Sequence, residues 1–220
     1  MELTECFARR PYQGVDPREA TLLFVGLDAN YDANVERSPT FASILEYHAD
    51  GAAFWRRYGV HHPFLLPEYR GDGRRYHSTF ARIGFEPRHA GLVSFVELMH
   101  KPTVGRSKLE VGDFDPTHLR NLSFAMREGN AKYIFVSAGV VRLMRMSGAF
   151  PWLRERAAIS SSLPVLYEDP ARAVYLHLHF SNYGKFQLQL EAEARAIRSL
   201  LRRHEESDPV ASSQHILDLQ

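Results

Sequence analysis

The sequence predicts an α/β fold, a three-layer α/β/α sandwich around a central, mainly parallel four-stranded sheet. Four short apolar runs stand out, at Thr21–Leu27, Gly91–Phe95, Lys132–Ser137 and Ala173–Leu178. Runs this uniformly apolar suit strands buried on both faces. Segments with helical spacing separate and follow them, at Phe41–Tyr58, Tyr76–Ile83, Pro116–Glu128, Val140–Ser147 and Lys185–His204. Strands alternating with helices imply parallel crossovers, hence a sheet covered by helices.

Length and composition fix the scale. With 220 residues, 45% hydrophobic and 24% charged, the chain is long enough for one substantial core. Without a repeat or a long linker, it reads as a single domain over 1–204 with a C-terminal arm over 205–220, set off where Ser207-Asp208-Pro209 breaks the last helical pattern. No apolar run approaches the ~20 residues of a bilayer crossing, and Met1–Glu5 has no basic, apolar leader pattern, so no membrane association is expected. One cysteine, Cys6, cannot form an internal disulfide or a four-cysteine metal site, which points to reducing cytoplasm. Lys and Arg (27) nearly balance Asp and Glu (26), so no global basic field announces nucleic acid. Dinucleotide, P-loop and nucleophile-elbow glycine motifs are missing.

In open α/β sheets ligands bind beyond the carboxyl ends of the strands. The first run stops at Gly26 and delivers Asp28, Asn30 and Tyr31. The second leads to Glu97 and the loop with Lys101, Thr103, Arg106 and Ser107. The third ends at Ser137, and the fourth delivers His177, His179, Ser181, Asn182, Tyr183 and Lys185. Parallel strands bring Asp28, Glu97 and one of the two histidines to a common edge. Within the fourth strand, alternation sends His177 and His179 to the same face, where one would orient the other.

These residues carry a resemblance. Gly26-Leu27-Asp28-Ala29-Asn30-Tyr31 resembles the first motif of the uracil-DNA glycosylase superfamily, Gly-Gln-Asp-Pro-Tyr-His in its best-known branch. His179-Phe180-Ser181-Asn182 is similar to that superfamily's His-Pro-Ser-Pro. The stretch from Gly91 through Pro102-Thr103 to Leu109 looks like the mismatch-specific and thymine-DNA branch, as does Gly73–Phe85 upstream. The likeness spans roughly residues 20 to 190 in order, with Ala29 and Phe180 where the family has proline.

The resemblance implies a monofunctional DNA glycosylase that excises uracil or a related damaged base in base excision repair, with no cofactor and no metal. Breaking an N-glycosidic bond puts positive charge on the sugar and negative charge on the departing base. Asp28 would stabilise the sugar cation and position water, and His179 would donate to a base carbonyl. A flipped base needs an aromatic face. Phe64 is the first choice and Phe41, 13 residues after Asp28, the second. Asn30 and Tyr31 would also touch substrate. Glu97, or Ser94 in its place, would read the base edge, although Glu97 can donate only when protonated. Ser181, Asn182, Tyr183, Lys185, Lys101 and Arg106 would hold DNA phosphates. The expected partner is DNA bearing uracil or another damaged base, bound by a monomer in a bacterial-type, nucleoid-associated cytoplasm.

Plainer roles compete. Asp28 could cap a turn, Glu97 could pair with Lys101 four residues on, and His177 and Phe41 could be core. Two other functions are a metal-dependent hydrolase using Asp28, His177, His179 and His61 or His62, and a non-catalytic nucleotide-binding module.

Overall fold

A computed structural model of the protein describes residues 3–105, 108–159 and 161–207. The fold is α/β, but its main sheet is mixed and has six strands rather than four. The four expected strands form its centre: β2 (Leu22–Gly26), β4 (Val93–Glu97), β6 (Tyr133–Ser137) and β8 (Ala173–His177). They pair in parallel, β4 with β2, β2 with β6 and β6 with β8. Outside them, β1 (Tyr12–Gly14) runs antiparallel to β4, and β7 (Val165–Glu168) antiparallel to β8. These outer strands are only three and four residues long, too short for an alternating pattern to stand out from a loop. A separate parallel pair joins β3 (Asn30–Tyr31) to β5 (Thr103–Val104).

Among the described residues seven α-helices accompany the strands: α1 (Leu3–Arg9), α2 (Phe41–Ala49), α3 (Gly51–Tyr58), α4 (Arg74–Ala81), α5 (Pro116–Glu128), α6 (Ala138–Met146) and α7 (Gln187–Ser207). The single helix expected over Phe41–Tyr58 is two, divided at Asp50. Asp50 adopts an extended conformation, and its carboxylate accepts from the N–H groups of Ala52 (3.1 Å) and Ala53 (3.0 Å). A side chain that caps a new helix so well ends the old one. The second strand starts two residues later than expected because Pro87–Gly91 winds into a 3₁₀ turn. Helix α7 continues through Ser207, so Glu205 is helical rather than part of an arm, and its carboxylate meets His89 Nε2 at 3.1 Å. Residues 208–220 lie outside the described residues.

Strand alternation divides the core into two clusters. Leu23 and Val25 face Leu119, Leu122 and Met126 of α5 and Val140, Val141, Leu143 and Met144 of α6. Leu22 and Phe24 face Ala52 and Trp55 of α3, Phe80 of α4 and Leu190, Ile197, Leu200 and Leu201 of α7. The second cluster is built on Phe24, whose ring stacks on Phe135 (4.7 Å) and Phe95 (5.5 Å) and meets the edge of Phe80 (5.0 Å, 83°). Full burial of one such ring is worth about 2–3 kcal/mol, and each aromatic pair adds about 1 kcal/mol. The pattern that buries Phe24 also fixes the register of the central strands, since a slip by one residue would turn every inward side chain outward.

Candidate active site

From β2 the chain crosses to β4 on one side, while β6 and β8 lie on the other. The sheet order therefore reverses between β2 and β6, the place where open α/β sheets bind ligands. Gly26 pairs with Glu97, and Ser137 with His177, so one row at the carboxyl edge carries the ends of all four parallel strands. Asp28 and His179 each lie two residues past that row. With one strand between theirs, β2 and β8 are about 10 Å apart.

Pairing persists beyond β2 and β4, through Leu98 N–H to Gly26 O, Met99 N–H to Leu27 O and Thr103 N–H to Ala29 O, each at 3.0 Å. This zipper sets Thr103 beside Asp28, and the threonine hydroxyl donates to the Asp28 carboxylate. Burial raises the Asp28 pKa and the Thr103 hydrogen bond works against that rise. Thr103 lies 75 positions from Asp28, and no local signal in the chain reveals their bond.

Gly26 does not break its strand; it closes β2. A Cβ at this position would strike the carboxyl group of Glu97, so the bare glycine backbone leaves room for that side chain to lie as it does. Held against the bare backbone, the Glu97 carboxyl is pushed up to about 8, first by burial and second by the charge of Asp28. At neutral pH Glu97 therefore keeps its proton and offers one donor and one acceptor, while Asp28 supplies the negative charge. Among the described residues Glu97 makes no ion pair with Lys101. Its backbone carbonyl accepts from His118 Nε2 at 2.8 Å, which ties the strand end to α5.

β8 ends at His177, so strand alternation does not extend to His179. His177 is a buried core residue, 4.6 Å from Phe180 ring to ring, with its Nδ1 directed at the Leu178 carbonyl (2.6 Å). His179 opens a tight turn in which Asn182 N–H and Nδ2 both donate to the His179 carbonyl at 2.9 Å. The Ser181 N–H donates to His179 Nδ1 at 3.3 Å, and the Ser181 hydroxyl lies 2.6 Å from the same nitrogen. With Nδ1 as acceptor, the neutral ring carries its proton on Nε2. Burial lowers its pKa, which keeps it neutral. The ring lies 5.2 Å from that of Tyr76 on α4.

The aromatic candidates share one cluster. Phe64 is buried and stacks on Tyr69 (4.0 Å, 9°), with Tyr31 and His62 at its edges. Phe41 is half-buried against the same group. Phe64, Tyr69 and Tyr31 line a cleft of about 280 Å³ with Asn34, Val35 and Arg70. Tyr31 is buried, its hydroxyl bound to His48 Nε2, so it supports the site from beneath. Asn30 is exposed in β3. Ser94 is fully buried three residues before the end of β4, and its hydroxyl has no partner among the described residues; it cannot reach a ligand at the edge. Ser181, Tyr183 and Lys185 are exposed after β8, Asn182 is half-buried, and the Arg75 guanidinium covers the Tyr183 ring at 4.5 Å. Lys101 is exposed, and Arg106 lies outside the described residues.

Behind Phe64 three imidazoles are packed together, with a fourth, His48, joined to them through the Tyr47 ring. His62 stacks on His77 (3.5 Å, 5°), His61 Nε2 lies 3.2 Å from His77 Nδ1, and His48 holds Tyr31. Burial drives His48 and His61 down to about 3 and depresses His62 and His77 as well. The one signal of this cluster in the chain is the crowding of histidines between His48 and His77. Among the described residues no three His, Cys, Asp or Glu side chains converge as a metal-binding group. No protein-family model matches this chain, and no curated protein shows significant similarity to it.

Proposed function

We propose that this chain is a monofunctional DNA glycosylase, built on a three-layer α/β/α arrangement, that excises uracil or a related damaged base. The observation that carries the reading is a pair of unlike acids at the carboxyl edge of the sheet: Asp28, two residues past the strand row, accepting from Thr103, and Glu97, on that row against Gly26, with its carboxyl pushed up to about 8. An anion is needed where a sugar cation forms, and donors are needed where a departing base gathers negative charge. Glu97 and the Nε2–H of His179 supply those donors.

In the proposed step the sugar–base bond breaks and its electron pair leaves with the base. Asp28 stabilises the cationic sugar, orients water toward it and takes a proton from that water as its oxygen bonds to the vacated carbon; the proton then passes through solvent to the departed base anion. The Glu97 hydroxyl and the His179 Nε2–H hydrogen-bond the base oxygens as their charge grows. The exposed turn from Ser181 to Lys185, with Tyr183 under Arg75, is the proposed backbone clamp. Phe64, once Tyr69 moves off its face, is the proposed stacking surface.

The test is base release from a uracil-containing oligonucleotide in EDTA, read as strand cleavage at the abasic site after alkali. Asp28→Asn and His179→Ala should each lower release by about 100-fold or more. Wild-type protein that leaves the oligonucleotide intact, or either variant at the wild-type rate, defeats the assignment.

A further inference from the structure

Helices α4 and α7 both begin near the candidate site, α4 with Tyr76 against the His179 ring and α7 just after the Ser181–Lys185 turn. Between them lies a cleft of about 210 Å³ whose lining includes Arg82, Ile83, Leu190, Glu191, Arg195 and Arg198. Its floor is apolar, because Ile83 and Leu190 are buried. Its walls carry three exposed arginines.

These arginines lack the partners that surface arginines commonly find. Among the described residues none of the three pairs with a carboxylate. The acid in the cleft, Glu191, accepts instead from Gln187 Nε2 at 2.8 Å. Arg198 is laid over Gly84, where a Cβ would strike its guanidinium; Gly84 has φ +87°, a conformation that itself favours glycine. Three guanidinium groups around one acid leave a net positive hollow, and bidentate, planar donors suit phosphate oxygens.

We propose that the α4–α7 cleft binds backbone phosphates of the DNA strand that enters the candidate site, a contact separate from the turn after β8. The inference rests on the DNA reading of the site. Arg82 lies six residues beyond Tyr76 along α4, about 9 Å at 1.5 Å per residue. That equals two to three nucleotide steps at about 3.4 Å each. The cleft therefore meets a strand a few nucleotides from the base held at His179. A strand on this path crosses Arg75 and Tyr183 at the rim and then reaches Arg82, Arg195 and Arg198.

The test is fluorescence anisotropy of a uracil-free oligonucleotide titrated with wild-type protein and with the double variant Arg82→Gln/Arg195→Gln over a range of salt. Both side chains are exposed, so the fold should survive, and a thermal melt checks that. The cleft variant should bind about tenfold more weakly, with a log–log salt slope shallower by about 1 to 2. Arg120→Gln/Arg142→Gln removes the same charge from α5 and α6 on the other face and should leave the slope unchanged. Inorganic phosphate and deoxyuridine monophosphate provide a second arm. Should either bind to the cleft while DNA affinity is indifferent to Arg82 and Arg195, the cleft is a small-anion site and the proposal fails. An unchanged slope in the cleft variant, an equal loss in both double variants, or no DNA binding by the wild type overturns it too. Base release is scored separately: wild-type protein that binds DNA through the cleft but releases no base defeats the glycosylase reading alone.

Discussion

Replacing Glu97 by Gln keeps the shape, a carbonyl acceptor and a donor, adds a second N–H, and removes the titration. In the folded protein the Glu97 carboxyl is pushed from 4.5 to about 8, whereas in the unfolded chain it ionises as usual. A group whose pKa is raised by folding contributes its stability below the unfolded value and loses it as pH climbs toward the folded value. At about 1.4 kcal/mol per pH unit, keeping Glu97 protonated costs roughly 3 kcal/mol at neutral pH and about 5 kcal/mol above the folded value. Denaturant unfolding of wild type and Glu97→Gln from about pH 5 to about pH 9 should thus give curves that nearly coincide at the acid end and diverge by that amount at the alkaline end, with the variant more stable. The same protonation should appear in function: wild-type base release falls as pH rises through about 8, and the variant keeps its activity there. Parallel stability curves would mean that Glu97 is ionised throughout and that the division of roles with Asp28 is mistaken.

Thr103→Val removes the hydrogen bond that opposes the raised pKa of Asp28, so the acid limb of the activity profile should move to higher pH; an unmoved limb would show that Thr103 does not act through Asp28. Gly26→Ala sets a methyl group against the Glu97 carboxylate, and should destabilise the protein by about 1–3 kcal/mol and lower base release, as read by thermal melting and the cleavage assay. Its damage should shrink in a Glu97→Ala background, and equal damage in both backgrounds would refute the contact. The buried imidazoles act in the opposite sense to Glu97. His48 and His61, at about 3, and His177, at about 4, stay neutral in the folded state while the unfolded chain takes up protons. Stability should therefore fall with pH below about 6.5, by about 1 kcal/mol per histidine between neutrality and pH 5.5, measured by denaturant unfolding.

The central strands were legible because each buries both faces and so carries a continuous apolar run. Helix α5 was legible to the residue because Asp115 accepts from the His118 N–H at 2.7 Å and Pro116 opens the first turn, both marks of a helix start that local sequence contains. What the sequence concealed depends on contacts between distant segments. Nothing near Gly26 says that its missing Cβ accommodates a carboxylate from position 97, and Thr103 meets Asp28 only because two loops zip together over 75 positions. Asp50 divided an expected helix by a bond of two residues' reach, which the apolar spacing on either side masked. Strand β8 stopped at His177, and that one boundary decided whether His179 follows the strand or opens a turn.

Both margins of the sheet are closed. On one side Arg10 Nη2 donates to the Gly14 carbonyl at 3.0 Å, and the start of α3 lies so near that a Cβ on Gly51 would come within 2.7 Å of the Gly14 nitrogen. On the other, Val165 exchanges hydrogen bonds with Ala158 at 2.8 and 2.9 Å, and Leu166 O accepts from Arg154 N–H at 3.0 Å. Strand addition by a second chain requires a row of vacant N–H and C=O groups. Here it must first displace Arg10 or the segment around Ala158, so aggregation through sheet extension begins with local unfolding, and its rate should follow the stability of those two attachments rather than that of the whole core.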